Sequence, residues 1–162
     1  MTSSKKITLI GTFGVGKSSL FRRFIENQFS EDYQSTLGVQ IKKKTVTLDS
    51  GESMSLIIWD TEGKEDVSMN RSSYLLGSHC IIYVFDLSRV DTFTSINEHL
   101  AFLKENYPNI LLKVVGNKSD AVSIKSVQKK LSALDITPDF FTSALSGEQV
   151  NDLFTLITKE LL

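Results

Sequence analysis

Residues 11–18 read Gly-Thr-Phe-Gly-Val-Gly-Lys-Ser and carry the clearest chemical pattern in the sequence. They match G-x-x-x-x-G-K-[ST], in which glycines allow backbone N–H groups to converge on phosphate oxygens. In this pattern the ammonium group of Lys17 binds the β- and γ-phosphates, and the hydroxyl of Ser18 binds Mg²⁺. A glycine-rich turn that matches by chance is the alternative, with an expected frequency under about 1% at ordinary glycine content. The pattern predicts a nucleoside-triphosphate site.

A second motif, at residues 117–120, addresses which base is bound. The carboxylate of Asp120 can accept hydrogen bonds from N1–H and the exocyclic amine of guanine, whereas adenine offers neither donor at those positions. Asn117 can either bond guanine's acceptors or tie adjacent loops together, and the aliphatic stem of Lys118 can lie along the base. Four residues alone also fit a polar surface turn. Because the motif follows a predicted strand at 110–116 of a phosphate-loop protein, we interpret it as a guanine reader.

Metal ligands are predicted near residues 60–63, which read Asp-Thr-Glu-Gly at the end of another predicted strand. Asp60 can hold Mg²⁺ through water, and Gly63 allows a backbone N–H to approach the γ-phosphate. Thr36, in the loop at 33–38, could add a second hydroxyl ligand. The predicted metal ligands are therefore Ser18, Thr36 and Asp60.

The elements that must position these groups alternate along the chain. Apolar runs typical of strands are followed by segments with apolar residues at helical spacing; the predicted strands cover residues 5–10, 53–60, 80–86, 110–116 and 139–143. Nearly continuous apolar runs suit a parallel sheet that is covered on both faces. Residues 39–48 and 53–59 flank a turn cluster and predict an antiparallel hairpin, with lysines 42–44 on a solvated edge strand. Ser146 and Gln149 predict a capping box at the start of the last helix.

Composition narrows the class of protein. The chain has 162 residues, 18 Lys plus Arg against 19 Asp plus Glu, 41% hydrophobic residues and one cysteine. Length predicts one domain, residues 1–162. A net charge of −1 does not favour nucleic-acid binding, and a single cysteine fits a reducing compartment. With no run of about eighteen apolar residues and no terminal prenylation cysteine, we expect a cytoplasmic protein without a membrane anchor in this chain.

Taken together, these motifs resemble those of Ras-superfamily small GTPases over essentially the whole chain, and residues 35–39 are more similar to Rab and Ran proteins than to Ras. The resemblance implies an α/β fold, a P-loop NTPase G domain with a six-stranded, mostly parallel sheet, one antiparallel edge hairpin and about five helices. It implies that Phe29 stacks on guanine, that Tyr33 covers the phosphates and that backbone groups of Ser143 and Ala144 contact the base. The implied nucleotide-binding set is Phe13, Gly14, Val15, Gly16, Lys17, Ser18, Ser19, Phe29, Tyr33, Thr36, Gly63, Asn117, Lys118, Asp120, Ser143, Ala144 and Leu145.

The sequence departs from the family pattern where hydrolysis takes place. The family has D-T-A-G-Q, and here Lys64 stands in place of the glutamine that orients the attacking water. An ammonium group has no acceptor for a hydrogen of that water. Glu62 replaces a small residue and would repel the γ-phosphate unless a cation such as Lys64 pairs with it. Phe13 could block an incoming arginine finger. We expect impaired hydrolysis from these three substitutions.

The predicted function is a guanine-nucleotide switch that binds GTP and GDP with Mg²⁺ and hydrolyses GTP slowly, with Lys17, Thr36, Gly63 and Lys64 at the reacting phosphate. The alternative is a GTP-locked interaction module without hydrolysis. A P-loop kinase is disfavoured, because the 117–120 motif reads guanine and no lid or acceptor domain is evident. We expect an effector protein at the switch loops, and an exchange factor and a GTPase activator as further partners.

Overall fold

The structure is a computed structural model, and it describes residues 2–27, 38–64 and 72–162. These residues form six strands and five α-helices, in the alternating order that the sequence predicts. The strands are β1 (Ser3–Ile10), β2 (Val39–Thr47), β3 (Ser53–Thr61), β4 (Cys80–Asp86), β5 (Leu111–Asn117) and β6 (Phe140–Phe141). The helices are α1 (Lys17–Glu26), α2 (Ser72–Leu75), α3 (Ile96–Asn106), α4 (Ile124–Ala133) and α5 (Val150–Leu161).

One six-stranded sheet has the order β2-β3-β1-β4-β5-β6. Only the β2–β3 pair is antiparallel; β1 pairs in parallel with both β3 and β4, and β5 with both β4 and β6. The predicted edge hairpin and mixed sheet are thus confirmed. Because β1 is flanked by β3 and β4, the chain changes direction across the sheet at the end of β1. In open α/β sheets such a switch point, at the carboxyl ends of the strands, is where ligands bind.

The sheet is covered on both faces, as the apolar runs predict. All seven residues of β4 are buried. On one face, α1 and α5 pack together, and the rings of Phe24 and Phe154 stack with centroids 3.8 Å apart. On the other face, Tyr83 and Phe85 pack beneath α3 and α4, with the Tyr83 hydroxyl 2.7 Å from Nδ1 of buried His99. Burial of these large side chains is the main force that holds the layers together.

Three local expectations were wrong or incomplete. The last strand has only two residues instead of the predicted 139–143. The first helix, which the sequence predicts at residues 19–28, begins two residues earlier, at Lys17 inside the phosphate loop. The capping box is absent: Gln149 precedes α5 without a side-chain cap, and its Oε1 accepts the N–H of Phe141 at 3.3 Å. Strand β2 does lie at the sheet edge, although Lys44 turns inward to donate to the Phe24 carbonyl at 2.5 Å.

Among the described residues, none of the helices combines the length and apolar composition that crossing a bilayer requires.

Candidate functional site

The carbonyl groups of the loop between β1 and α1 are all engaged in hydrogen bonds. Each carbonyl from residue 11 to residue 16 accepts a hydrogen bond at 2.9–3.3 Å, and four of the six donors lie outside the loop and α1. In order, the donors are the N–H of Lys64, Lys17 Nζ, Arg89 Nη1, Lys118 Nζ, Asn117 Nδ2 and the N–H of Leu20. Because C=O and N–H of a trans peptide point in opposite directions, the four carbonyls bonded from outside leave the N–H groups of residues 12, 14, 15 and 16 pointing away from those donors, toward the inside of the loop. Such a concave set of N–H groups binds anions.

Glycine is required in this loop by both conformation and space. Gly14 and Gly16 have φ of +77° and +94°, values that favour glycine. A Cβ on Gly16 would lie 2.3 Å from Nδ2 of Asn117, and a Cβ on Gly63 would lie 2.6 Å from Cα of Phe13. The loop therefore packs tightly against the end of β5 on one side and against the residue pair that follows β3 on the other.

The ammonium group of Lys17 is buried inside this loop. Burial lowers its pKa to about 8, and the negative charge of Asp60 opposes that shift. Thr12 Oγ1 is also buried and has no hydrogen-bond partner within the described residues. A buried cation and an unsatisfied hydroxyl both gain from an anionic ligand with several acceptor oxygens. The loop thus fits a bound phosphate group.

Two hard oxygen donors lie beside Lys17. Ser18 Oγ donates to Asp60 Oδ2 at 2.5 Å, and Asp60 is fully buried. A hydroxyl and a carboxylate at this spacing match the oxygen ligands that Mg²⁺ takes together with phosphate oxygens. No cluster of three His, Cys, Asp or Glu in the described ranges could hold a metal ion by itself. The third predicted ligand, Thr36, lies outside the described residues, as do Phe29 and Tyr33.

Asn117 joins the phosphate loop to the loops that end β5 and β6. Its Nδ2 donates to the Val15 carbonyl at 3.1 Å, and its Oδ1 accepts from Thr142 Oγ1 at 3.1 Å. In this structure the amide therefore has the loop-tying role, one of the two interpretations left open by the sequence. Asn117 is buried, so this side chain holds the loops together from within the protein.

The predicted base-binding residues come together at the same edge of the sheet. Asp120 follows β5, and its Oδ1 accepts from the Ser143 hydroxyl at 2.7 Å. Ser143 and Ala144 are buried, whereas Asp120 is exposed and Leu145 is 46% exposed at the rim. The Ser119 N–H donates to the Thr142 carbonyl at 3.0 Å, which fixes the two loops against each other. The arrangement places the exposed Asp120 carboxylate against the loop after β6.

Lys118 is held by a residue that the sequence patterns do not single out. Its Nζ lies 2.8 Å from Oδ2 of Asp86, which is fully buried at the end of β4. Asp86 Oδ1 accepts from both the N–H and the hydroxyl of Ser88. Lys118 itself has φ of +66°, an uncommon left-handed conformation for a lysine. Asp86 thus fixes Lys118, a strained cationic residue, between the loop after β5 and the phosphate loop.

Two arginines were also missed. Arg23 on α1 donates to the carbonyls of Ala144 and Leu145, and Arg89 after β4 donates to the Phe13 carbonyl. Neither arginine belongs to a recognisable motif. Their partners are backbone carbonyl groups 76 or more residues away, and a backbone carbonyl leaves no signature in the sequence. The only available signal was that Arg89 follows a buried strand whose carboxyl end lies at the predicted site.

The atypical residues after β3 form an ion pair. Lys64 Nζ lies 3.1 Å from Glu62 Oε1, and both side chains are partly exposed. Glu62 also accepts from the N–H of Gly38 at 3.4 Å, and its own N–H donates to the Gly38 carbonyl at 2.8 Å. Phe13, the third atypical residue, is 54% exposed beside Gly63.

Fold and site together define a P-loop nucleotide-binding protein, with a phosphate loop at the switch point of the sheet and a carboxylate-bearing loop after β5. The family model described as "Ras family" matches residues 6–162. Three similar curated proteins agree. "GTP-binding protein YPT1" of Saccharomyces cerevisiae is 38% identical over 161 residues, which cover 96% of this chain and 78% of that protein. "Ras-related protein Rab-1C" of Dictyostelium discoideum is 36% identical, with 96% and 80% covered.

The third, "GTP-binding protein ypt5" of Schizosaccharomyces pombe, is 32% identical, with 99% of this chain and 79% of that protein covered. The chain therefore belongs to the Ras family. It is a small GTPase of the Rab type, a GTP-binding molecular switch, which confirms the family and the class of function predicted from the motifs.

Proposed function

We propose that this chain forms a single G domain, residues 1–162, that binds GTP and GDP with Mg²⁺ and hydrolyses GTP slowly. The observation that carries the proposal is the position of Asn117, which links the Val15 carbonyl of the phosphate loop to the loop after β6 at 3.1 Å on each side. Through this side chain, the phosphate loop and the loops that follow β5 and β6 are held at one edge of the sheet. One ligand with a phosphate end and a base end fits that arrangement.

The phosphates bind in the loop before α1. The backbone N–H groups of residues 13–19, which include Phe13, Gly14, Val15, Gly16 and Ser19, surround the β-phosphate, and buried Lys17 contacts the β- and γ-phosphates. A triphosphate places negative charge beside the Lys17 ammonium and so compensates for the solvent that burial removes. Ligand binding therefore favours the protonated form of Lys17 and raises its pKa from about 8.

Ser18 and Asp60 would hold the metal, Asp60 through water, with Thr36 as a further ligand. When bound, Mg²⁺ neutralises charge on the β- and γ-phosphates. Ser18 Oγ and Asp60 Oδ2, 2.5 Å apart, form the protein side of the site. Asp60 also lowers the cost of burying the Lys17 ammonium, so the same carboxylate serves the cation and the metal.

Guanine is read by Asp120, whose carboxylate accepts from N1–H and the exocyclic amine. We assign the stem of Lys118 to the face of the base and the loop residues Ser143, Ala144 and Leu145 to its surroundings. The family resemblance implies stacking by Phe29, which is outside the described residues. Small GTPases often carry a lysine at the position of Leu145, so the contact with the base is apolar here. Adenine would leave the Asp120 carboxylate without its two donors, and this mismatch sets the selectivity.

Hydrolysis takes place where Gly63 and Lys64 approach the γ-phosphate. Gly63 lies close to the backbone of Phe13 at the border of the phosphate loop, and we assign its N–H to the γ-phosphate. Lys64 has no acceptor with which to orient the attacking water, and Glu62 already occupies its ammonium group at 3.1 Å. We therefore infer a slow intrinsic rate. The GTP-locked alternative differs only in having no measurable rate.

Proteins of this type act through effectors, exchange factors and GTPase-activating proteins. In this chain we assign the effector contact to the two loops that carry Thr36 and Gly63. Phe13, 54% exposed beside Gly63, would hinder the entry of an activator's arginine.

The experiment that tests this proposal is identification of the nucleotide that co-purifies with the protein. Denaturation followed by ion-exchange chromatography is expected to release guanine nucleotide in near-equal molar amount, mainly as GDP. An Asp120→Asn variant purified in parallel is expected to carry much less. Adenine nucleotide in the wild-type protein would overturn the base assignment. Recovery mainly as GTP, with no conversion in a timed single-turnover assay, would favour the GTP-locked alternative.

A further inference from the structure

Arg23 lies on the face of α1 that is turned toward the loop after β6, and it makes a two-pronged contact with that loop. Its Nε donates to the Ala144 carbonyl at 2.7 Å and its Nη2 donates to the Leu145 carbonyl at 2.6 Å. The Cδ of Arg23 is 3.6 Å from the position of a Cβ on Gly147, whose φ is +84°. Hydrogen bonds from a charged, planar guanidinium are the stronger kind and fix orientation as well as distance.

The contact continues through one peptide group to the base-reading carboxylate. The Leu145 carbonyl and the Ser146 N–H belong to the same planar peptide, so a donor that fixes the carbonyl also directs the N–H. The Ser146 N–H donates to Ser143 Oγ at 3.1 Å, and Ser143 Oγ donates to Asp120 Oδ1 at 2.7 Å. A chain of hydrogen bonds therefore runs from Arg23 to Asp120, and such chains strengthen each member.

We propose that Arg23 is a positioning residue for base selectivity: through the Ser146 peptide and the Ser143 hydroxyl it orients the Asp120 carboxylate toward the guanine 2-amino group. The inference rests on the proposed function and deepens it. Arg23 does not touch the base. It links the helix that begins in the phosphate loop to the carboxylate that selects the base.

The same helix offers a matched control. Arg22 is the neighbouring residue, and in the part of the chain that the structure describes it has no hydrogen bond or ion pair. Arg22→Gln and Arg23→Gln each remove one positive charge from α1, and only the second removes the contact with the loop. Ser143→Ala interrupts the hydrogen-bond chain at a later point.

The readout is the ratio of affinities for GDP and IDP, because the inosine base lacks the 2-amino group and keeps the other ring positions. Dissociation constants are measured at fixed Mg²⁺ for the wild-type protein, the three variants and the Arg23→Gln, Ser143→Ala double variant. Arg23→Gln is expected to weaken GDP binding at least tenfold and IDP binding much less, so that the GDP preference falls at least threefold. Arg22→Gln is expected to leave both constants within twofold. Arg23→Gln and Ser143→Ala are expected to be non-additive in their effect on the ratio.

An equal loss of GDP and IDP affinity in Arg23→Gln would overturn the inference, since a merely structural role displaces the whole loop. If Arg23→Gln does not fold, Arg23→Lys takes its place, because it keeps the charge and loses the planar fork; an unchanged ratio in that variant would overturn the inference equally. A wild-type protein that binds neither GDP nor IDP would overturn the proposed function first, and this inference with it.

Discussion

Lys64 Nζ lies 3.1 Å from Glu62 Oε1, so the two residues that depart most from the family pattern are partners of each other. Each substitution alone would place a misfit group near the γ-phosphate: an anion in one case and a donor-only side chain in the other. The pair also lies close to Gly38, whose N–H is 3.4 Å from Glu62 Oε2. The sequence indicates Lys64 as a cation that could pair with Glu62, and the structure contains that pair. Variants at the two positions are therefore best compared singly and together.

The double variant Glu62→Ala, Lys64→Gln is expected to hydrolyse GTP at least several-fold faster than the wild-type protein. It restores a small residue and a side-chain amide that can both donate to and accept from water. Single-turnover hydrolysis with preloaded GTP measures the rate without interference from nucleotide exchange. An unchanged rate in the double variant would remove Lys64 and Glu62 from the account of slow hydrolysis and leave Phe13 as the remaining difference.

Lys64→Gln alone is expected to weaken GTP binding relative to GDP. Without its ammonium partner, the Glu62 carboxylate repels the γ-phosphate, and GDP has no such group. The difference is on the order of fivefold, the value for unit charges about 4 Å apart in water. Competition of GTP and GDP for the same labelled nucleotide gives the ratio directly. Glu62→Gln, Lys64→Gln serves as the control, because it removes both charges and should return the ratio to the wild-type value.

Gly16→Ala is expected to damage the site far more than Gly51→Ala, although both glycines have φ near +90°. Alanine in that conformation costs about 1 kcal/mol at either position. At Gly51 a Cβ meets nothing within 4 Å, whereas at Gly16 it would lie 2.3 Å from Asn117 Nδ2. We expect Gly16→Ala to lose a further ~1–3 kcal/mol of unfolding free energy through this clash.

The clash would also displace the Asn117 side chain that donates to the Val15 carbonyl, so nucleotide affinity is expected to fall at least about tenfold in Gly16→Ala and to stay unchanged in Gly51→Ala. Denaturant titration and nucleotide binding on the two variants test both statements. Equal losses at the two positions would show that backbone strain, rather than the contact with Asn117, makes glycine necessary.

Much of this fold could be predicted because it depends on local patterns. The buried run of β4 and the turn cluster between β2 and β3 each reflect a rule that acts over a few residues. The phosphate loop and the 117–120 motif are likewise continuous in sequence, so their positions at the carboxyl ends of β1 and β5 followed from strand assignment alone.

The remainder depended on contacts between distant segments. A capping box at Ser146 and Gln149 was a sound local prediction, but the Gln149 side chain instead accepts the N–H of Phe141, eight residues away, and the cap does not form. Strand β6 pairs with β5 only at Phe140 and Phe141. The next residue, Thr142, accepts the N–H of Ser119 from the loop after β5, a contact between distant segments. The contacts of Arg23 with carbonyls 121 and 122 residues away have no sequence signature at all.

His79 is expected to make the protein less stable in weak acid. Its Nδ1 accepts the N–H of Lys6 at 3.0 Å, which requires the neutral ring. Desolvation by the surrounding protein lowers the His79 pKa below its ordinary value of 6.5, and the positive charge of Lys5 lowers it further. As pH falls below 6.5, the unfolded chain takes up this proton before the folded protein does. The free energy of unfolding therefore decreases as pH falls from 6.5 toward the lower pKa of folded His79. Above 6.5 the stabilising contribution of neutral His79 is retained.

His79→Asn keeps an acceptor for the Lys6 N–H and removes the titration, so its unfolding midpoint is expected to change less between pH 7 and pH 5.5 than that of the wild-type protein. Lys5→Gln tests the cause, because loss of that positive charge should raise the His79 pKa in an NMR titration and lessen the acid sensitivity. The same pH dependence in His79→Asn as in the wild-type protein would assign the acid sensitivity to other groups.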